Sequence, residues 1–140
     1  MSKVAVVYWS GTGNTQQMAE AVADGARAKG ADVSIFGASE FQPDMVSSFD
    51  GIAFGCPAMG SEVLEEEEFE PMFSSVEGSL AGKKVVLFGS YGWGDGTWMH
   101  DWEDRCSSSG VALAAESVMA NEAPGTEELE ACKELGAVIC

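Results

Sequence analysis

Three short, uninterrupted apolar runs constrain this chain more than any other feature. They are Val4-Ala5-Val6-Val7-Tyr8, Gly51-Ile52-Ala53-Phe54-Gly55 and Lys84-Val85-Val86-Leu87-Phe88-Gly89. A strand with one wet face alternates apolar and polar residues, whereas a continuous run suits a strand buried on both faces, as in a parallel sheet covered by helices. Asp32–Phe36 reads as a further strand, and Val111–Ala115, extendable to Met119, as a fifth.

The segments between the runs carry helical periodicity. Residues 14–29 place Met18, Val22 and Ala26 at four-residue spacing, and Trp98, Trp102 and Cys106 repeat that spacing later. Leu64, Phe69, Phe73 and Val76 suggest a short, irregular helical stretch, with Pro71 tolerable only in its first turn. Leu129, Cys132, Leu135 and Ile139 stripe a closing helix whose first turn holds Glu127 and Glu128, at the positive end of its dipole. Alternating β and α segments of this length imply right-handed crossovers and a three-layer α/β fold. The 140 residues fit a single domain over 1–140. Ligands in such folds sit beyond the carboxyl ends of the strands, which directs attention to the loops there.

Charge narrows the partners. Seven Lys and Arg stand against 23 Asp and Glu, a formal net charge of −16. Nucleic acid and anionic membrane surfaces are thereby excluded as main partners. No Lys or Arg lies between Lys29 and Lys83. Such a stretch reads as a solvated face, or as an acidic docking surface for basic partners and a field acting on a bound redox group. The four cysteines, Cys56, Cys106, Cys132 and Cys140, form no C-x-x-C pair, and His100 is the only histidine, so no zinc or iron–sulfur ligand spacing is present. Cys106 and Cys132 fall on apolar helix faces as small core residues, while a Cys56–His100 catalytic pair lacks an orienting third group. With no signal peptide and no apolar run near 18 residues, the chain reads as cytoplasmic with reduced thiols.

Three loops carry chemistry. Ser10-Gly11-Thr12-Gly13-Asn14-Thr15 lacks the Lys of a Walker loop and the third Gly of a dinucleotide loop. Its hydroxyls, amide and helix-start N–H groups suit one phosphate held without a cation. Gly55-Cys56-Pro57-Ala58-Met59-Gly60-Ser61-Glu62 and Ser90-Tyr91-Gly92-Trp93-Gly94-Asp95-Gly96 follow the next two buried strands. A flat aromatic ligand with a monophosphate tail could lie between Met59 and Trp93.

With these loops in this order, and with Asn121-Glu122-Ala123-Pro124 after them, the sequence resembles the flavodoxins, specifically the short-chain kind of anaerobic bacteria. The resemblance runs from end to end, without a long insertion in the fifth strand. It implies a flavodoxin-like five-stranded parallel sheet of order 2-1-3-4-5, a tightly bound FMN and a monomer. By that resemblance Ser10, Thr12, Gly13, Asn14 and Thr15 hold the FMN phosphate, and Ser90 and Asn121 face the ribityl chain. Met59 and Trp93 sandwich the isoalloxazine, with Ala58 and Tyr91 in the same two loops. The N–H groups of Gly92 and Trp93 lie near the pyrimidine edge, and Glu62 accepts from ring N3–H. Pro57, where some relatives have Ser, offers neither hydroxyl nor N–H and is given no ligand role. Ser61 stands where several relatives have Asp.

The resemblance further implies a low-potential one-electron carrier, not an enzyme, cycling between neutral semiquinone and anionic hydroquinone. Its partners would be redox proteins with basic docking surfaces, namely reductases and oxidoreductases that also use ferredoxin. An FMN-dependent quinone or nitro-compound reductase of the same fold is the competing reading. Gly60, which tolerates positive φ, would let the Gly60–Ser61 peptide flip toward the ring. A carboxylate roughly 12 Å from a ring, at an effective dielectric of about 40–80, opposes an added negative charge by roughly 0.3–0.7 kcal/mol. For one electron that is about 15–30 mV per carboxylate.

Overall fold

In a computed structural model, which describes residues 2–11, 13–59, 63–92, 94 and 96–140, the apolar runs become strands of one sheet. These are β1 (Lys3–Tyr8), β2 (Asp32–Gly37), β3 (Gly51–Gly55), β4 (Lys84–Tyr91) and β5 (Val118–Asn121), in the order β2-β1-β3-β4-β5. Every pairing is parallel, with Val4 opposite both Val33 and Gly51, and Ile52 opposite Val85. The helices are α1 (Asn14–Ala28), α2 (Phe69–Val76), α3 (Thr97–Ser108) and α4 (Thr126–Val138).

Side chains alternate across a strand, so each buried strand feeds two cores. Val4, Val6, Ala53, Val86 and Phe88 pack with Met18 and Val22 of α1 and with Cys132 and Leu135 of α4. Ala5, Val7, Ile52, Phe54, Val85 and Leu87 face the other layer, against Phe69 and Phe73 of α2 and Trp98, Trp102 and Cys106 of α3. That double burial is the physical reason the runs are continuous rather than alternating.

The layers are joined differently. Gly25 of α1 and Gly136 of α4 let the two backbones touch, since a Cβ on either would collide with the carbonyl of Lys133 or Val22. Between α2 and α3, Arg105 donates to Glu70 at 2.8 Å and to Glu77 at 2.9 Å, and its guanidinium lies 5.0 Å from the centre of the Phe73 ring. Burial opposes the charge of Glu70 and Glu77, yet their hydrogen bonds and ion pairs with Arg105 hold both carboxyls below the usual range. Pro71 does fall in the first turn of α2.

The fifth strand departs from its expected position. Residues 111–115 form only an isolated bridge from Leu113 to Val85, with the Ala114 amide donating to Val85 O at 2.8 Å. The ladder resumes at Val118, opposite Phe88. Gly110, at φ 78°, turns the chain out of α3, and the intervening Ser117 hydroxyl bonds to Glu103 rather than to the sheet. No helix among the described residues is long and apolar enough to cross a membrane.

Candidate functional site

Because all five strands run the same way, the loops after β1, β3 and β4 emerge on one side of the sheet, and backbone bonds hold them in register. Trp9 N donates to Gly55 O at 3.0 Å, Cys56 N to Phe88 O at 3.2 Å and Ala58 N to Ser90 O at 3.0 Å. The ladder is in effect continued one step into the loops. Gly89 is needed there, since a Cβ would strike the Cys56 carbonyl. That same carbonyl accepts from Trp98 Nε1 at 3.2 Å.

A cleft of about 430 Å³ opens among these loops, and its lining among the described residues includes Asn14, Ala58, Met59, Ser90, Tyr91 and Gly92. Its size suits a small-molecule site. No Lys or Arg is among these lining residues. Trp9, Gly11, Pro57 and Glu122 complete the described lining. Trp9 lies between the first apolar run and the Ser10 loop, and nothing in strand periodicity alone marks it as a wall residue. Pro57, though without a donor, still shapes the cleft.

On the β1 side, Ser10 Oγ accepts from the Gly13 amide at 3.0 Å and closes the loop. Gly13 is the N-cap of α1 at φ 93°, and it makes no side-chain cap, so the first-turn amides are not consumed by an N-cap side chain. Thr15, 1% exposed, shares a hydrogen bond with Ser90, 5% exposed, their hydroxyl oxygens 3.0 Å apart. Each hydroxyl can donate once and accept twice, so the pair keeps capacity for a further partner. Asn121 lies on β5 in register with Tyr91 and is exposed rather than in the cleft lining, whereas Glu122 lines it. Glu122 takes the left-handed conformation, φ 59°, and its amide donates to Tyr91 O at 2.6 Å. Thr12, Gly60, Ser61, Glu62 and Trp93 lie outside the described residues.

The β3 side is braced by a residue the sequence concealed. Glu65, within a run of four glutamates, is 6% exposed. Its Oε1 accepts from the amides of Glu68 at 2.7 Å and Phe69 at 2.8 Å, and its Oε2 from the amide of Glu67 at 2.8 Å. Burial alone would favour the neutral acid, but these three backbone donors outweigh it and hold the carboxyl below its ordinary value. The Glu65 amide in turn donates to Cys56 Sγ at 3.4 Å, and Met59 N donates to Val63 O at 2.9 Å. Glu68 accepts from Trp9 Nε1 at 3.1 Å, which links this turn to the β1 wall.

The Cys56–His100 pairing is not assembled. Cys56 is fully buried, and burial pushes its thiol up to about 12. The side chain of His100 is 65% exposed on α3, facing Glu103 at 3.5 Å. Cys106 and Cys132 are buried core residues, as their helix positions imply.

The residues present fit a flavin mononucleotide. The phosphate would meet hydroxyls and helix-start amides, and the ring an apolar wall that includes Met59 and Trp9. A family model described as flavodoxin matches residues 6–136. The chain is 45% identical over 131 residues to a flavodoxin of Clostridium beijerinckii, covering 94% of each chain. It is 47% identical over 133 residues to a flavodoxin of Megasphaera elsdenii, covering 95% of each. The solution structure of two-electron reduced Megasphaera elsdenii flavodoxin superposes with a TM-score of 0.89 at 46% identity, over 97% of each chain.

Proposed function

The chain belongs to the flavodoxin family, and from that premise we propose that it is a low-potential one-electron carrier whose FMN occupies the cleft beyond β1, β3 and β4. Membership makes it an FMN-binding electron-transfer protein that serves redox partners. The observation that supports this location is convergence. Residues from three loops separated by dozens of positions, Asn14, Met59 and Tyr91 among them, line one cleft.

FMN supplies the redox chemistry when bound, accepting electrons singly. Ser10, Thr12, Gly13, Asn14 and Thr15 would hold its phosphate by hydroxyls and amides. Ser90 and Asn121 would face the ribityl chain. Met59 and Trp93 would flank the ring and exclude water from it, with Ala58, Tyr91 and Gly92 beside them. Glu62 would accept from the ring edge, and Gly60 would leave the Gly60–Ser61 peptide free to present either its carbonyl or its N–H. No Lys or Arg among the described residues lining the cleft, within a chain of net charge −16, would offset the charge gained on full reduction. That imbalance would lower the potential of the second electron. The acidic stretch from Asp44 to Glu77, which includes the Met59 loop, would present the protein to basic surfaces of its partners. The chain is read as a cytoplasmic, single-domain monomer, in line with four free cysteines.

Reductive titration tests the reading. Two separated one-electron steps are expected, and a single two-electron step would refute it. Trp93→Ala is expected to weaken FMN binding and restore flavin fluorescence. Unchanged affinity would remove Trp93 from the ring site.

A further inference from the structure

The other end strand of the sheet carries a second concavity. A groove of about 620 Å³ runs between β5 and α4, lined in part by Val118, Met119, Leu135 and Val138. Val118 packs with the α1/α4 core and Met119 with the α2/α3 core, so the two side chains leave opposite faces of the strand. The groove touches both residues, and α4 forms its other wall, beside the end strand of the sheet. The outer edge of β5 has no strand partner among the described residues, because β5 ends the sheet, and it is preceded by the break in the ladder between Leu113 and Val118. Val138 is 43% exposed at one end.

Among the described residues, four charged ones line the groove, Glu116, Glu127, Glu128 and Glu134, and none is basic. Acidic side chains on an edge commonly guard against unwanted pairing. Here they also set a sign. A second copy of this chain would bring a net charge of −16 against them and is repelled. A basic segment is attracted to the same surface.

We propose that the β5 edge and the α4 face form a docking groove for an extended segment of a partner protein, alternating aliphatic with Lys or Arg residues, which adds to the sheet as a further strand. Backbone groups of β5 would supply the pairing, Val118, Met119, Leu135 and Val138 the apolar contact, and the four glutamates the selectivity. The surface is separate from the FMN cleft, so its occupation and flavin binding can be scored independently.

The test uses isotopically labelled FMN-loaded protein titrated with a short capped peptide alternating Lys and Val. Shifts are expected at Val118, Met119 and Ala120, with slowed exchange at the Met119 amide, which points away from β4 because the alternate amides, as at Glu122, donate to it. The same peptide N-methylated at alternate residues, which cannot pair, is expected to lose these effects, and a Glu/Val counterpart to show none. Replacing Glu116, Glu127, Glu128 and Glu134 together by Gln is expected to weaken binding about tenfold, given a few tenths of a kcal/mol per exposed charge pair. Flavin absorbance is expected to remain unchanged in that variant. Perturbation confined to residues 65–70, undiminished binding by the N-methylated peptide, or full affinity in the Gln variant would each overturn the proposal.

Discussion

Glu65 offers the sharpest test of how the cleft is held. Its carboxylate accepts three backbone amides while 6% exposed, and hydrogen bonds to a charged group contribute about 1.5–3 kcal/mol each. In Glu65→Gln the amide oxygen can retain the Glu68 and Phe69 donors, but its NH₂ then faces the Glu67 amide. One charged bond is lost and two become neutral, which predicts a loss of about 2–3 kcal/mol. Glu65→Ala leaves all three donors without their acceptor and is expected to cost about 4 kcal/mol, a large share of the stability of an ordinary domain. The sign with pH follows from the depressed carboxyl. Between the folded and unfolded values the unfolded chain binds more protons, so stability rises with pH there. The Glu65 contribution is therefore complete above the ordinary value of 4.5 and is lost as pH falls through the lower folded value. Urea unfolding of wild type and Glu65→Gln, followed across that range, measures the gap directly. A difference under about 0.5 kcal/mol at neutral pH, or one that does not shrink on acidification, would refute the reasoning. FMN affinity is expected to fall as well, because the same turn braces Cys56 through the Glu65 amide.

Other perturbations probe the remaining walls. Thr15→Val strands the buried Ser90 hydroxyl, a cost of about 1–3 kcal/mol, and is expected to weaken FMN binding in a fluorescence titration. Glu68→Ala frees the Trp9 indole and is expected to shift its emission and reduce FMN affinity by up to about tenfold, with Glu68→Gln restoring both. Gly89→Ala drives a Cβ into the Cys56 carbonyl, and chemical denaturation is expected to show a loss of about 2 kcal/mol or more. Arg105→Lys keeps the charge but loses the fork to Glu70 and Glu77, and with a side chain 27% exposed the expected loss is about 1–2 kcal/mol in thermal unfolding.

Periodicity located most of the scaffold because burial wrote it plainly. Val4 to Val7, Ile52 to Phe54 and Val85 to Phe88 are all fully buried, so no polar residue interrupts them. Trp98, Trp102 and Cys106 marked α3 for the same reason. The β5 reading, Val111–Ala115 extendable to Met119, meets the observed Val118–Asn121 only at its end, because small Ala residues give strand and loop similar patterns, and only the pairings with Val85 and Phe88 distinguish them. Within the cleft, Ala58, Ser90, Tyr91 and Gly92 entered through the family resemblance, whereas Asn14 and Met59 were legible from loop composition. Glu65 was not, because four consecutive glutamates look alike until the chain turns one of them inward to cap α2. Trp9 was hidden by following directly on a buried strand, where an indole looks like core.

The Thr15–Ser90 hydrogen bond joins residues 75 positions apart, and this separation has a kinetic consequence. β1 and β4 flank β3 in the sheet, so the two hydroxyls meet only after all three strands are ordered. Long-range parallel pairing is slow, because loop-closure entropy is lost before the contacts reward it. FMN therefore finds no cleft in the early chain, and its main effect is expected on the native state. It is expected to act as a brake, leaving the refolding rate near that of the apoprotein while slowing escape from the native state, which stopped-flow refolding and unfolding with and without FMN would measure.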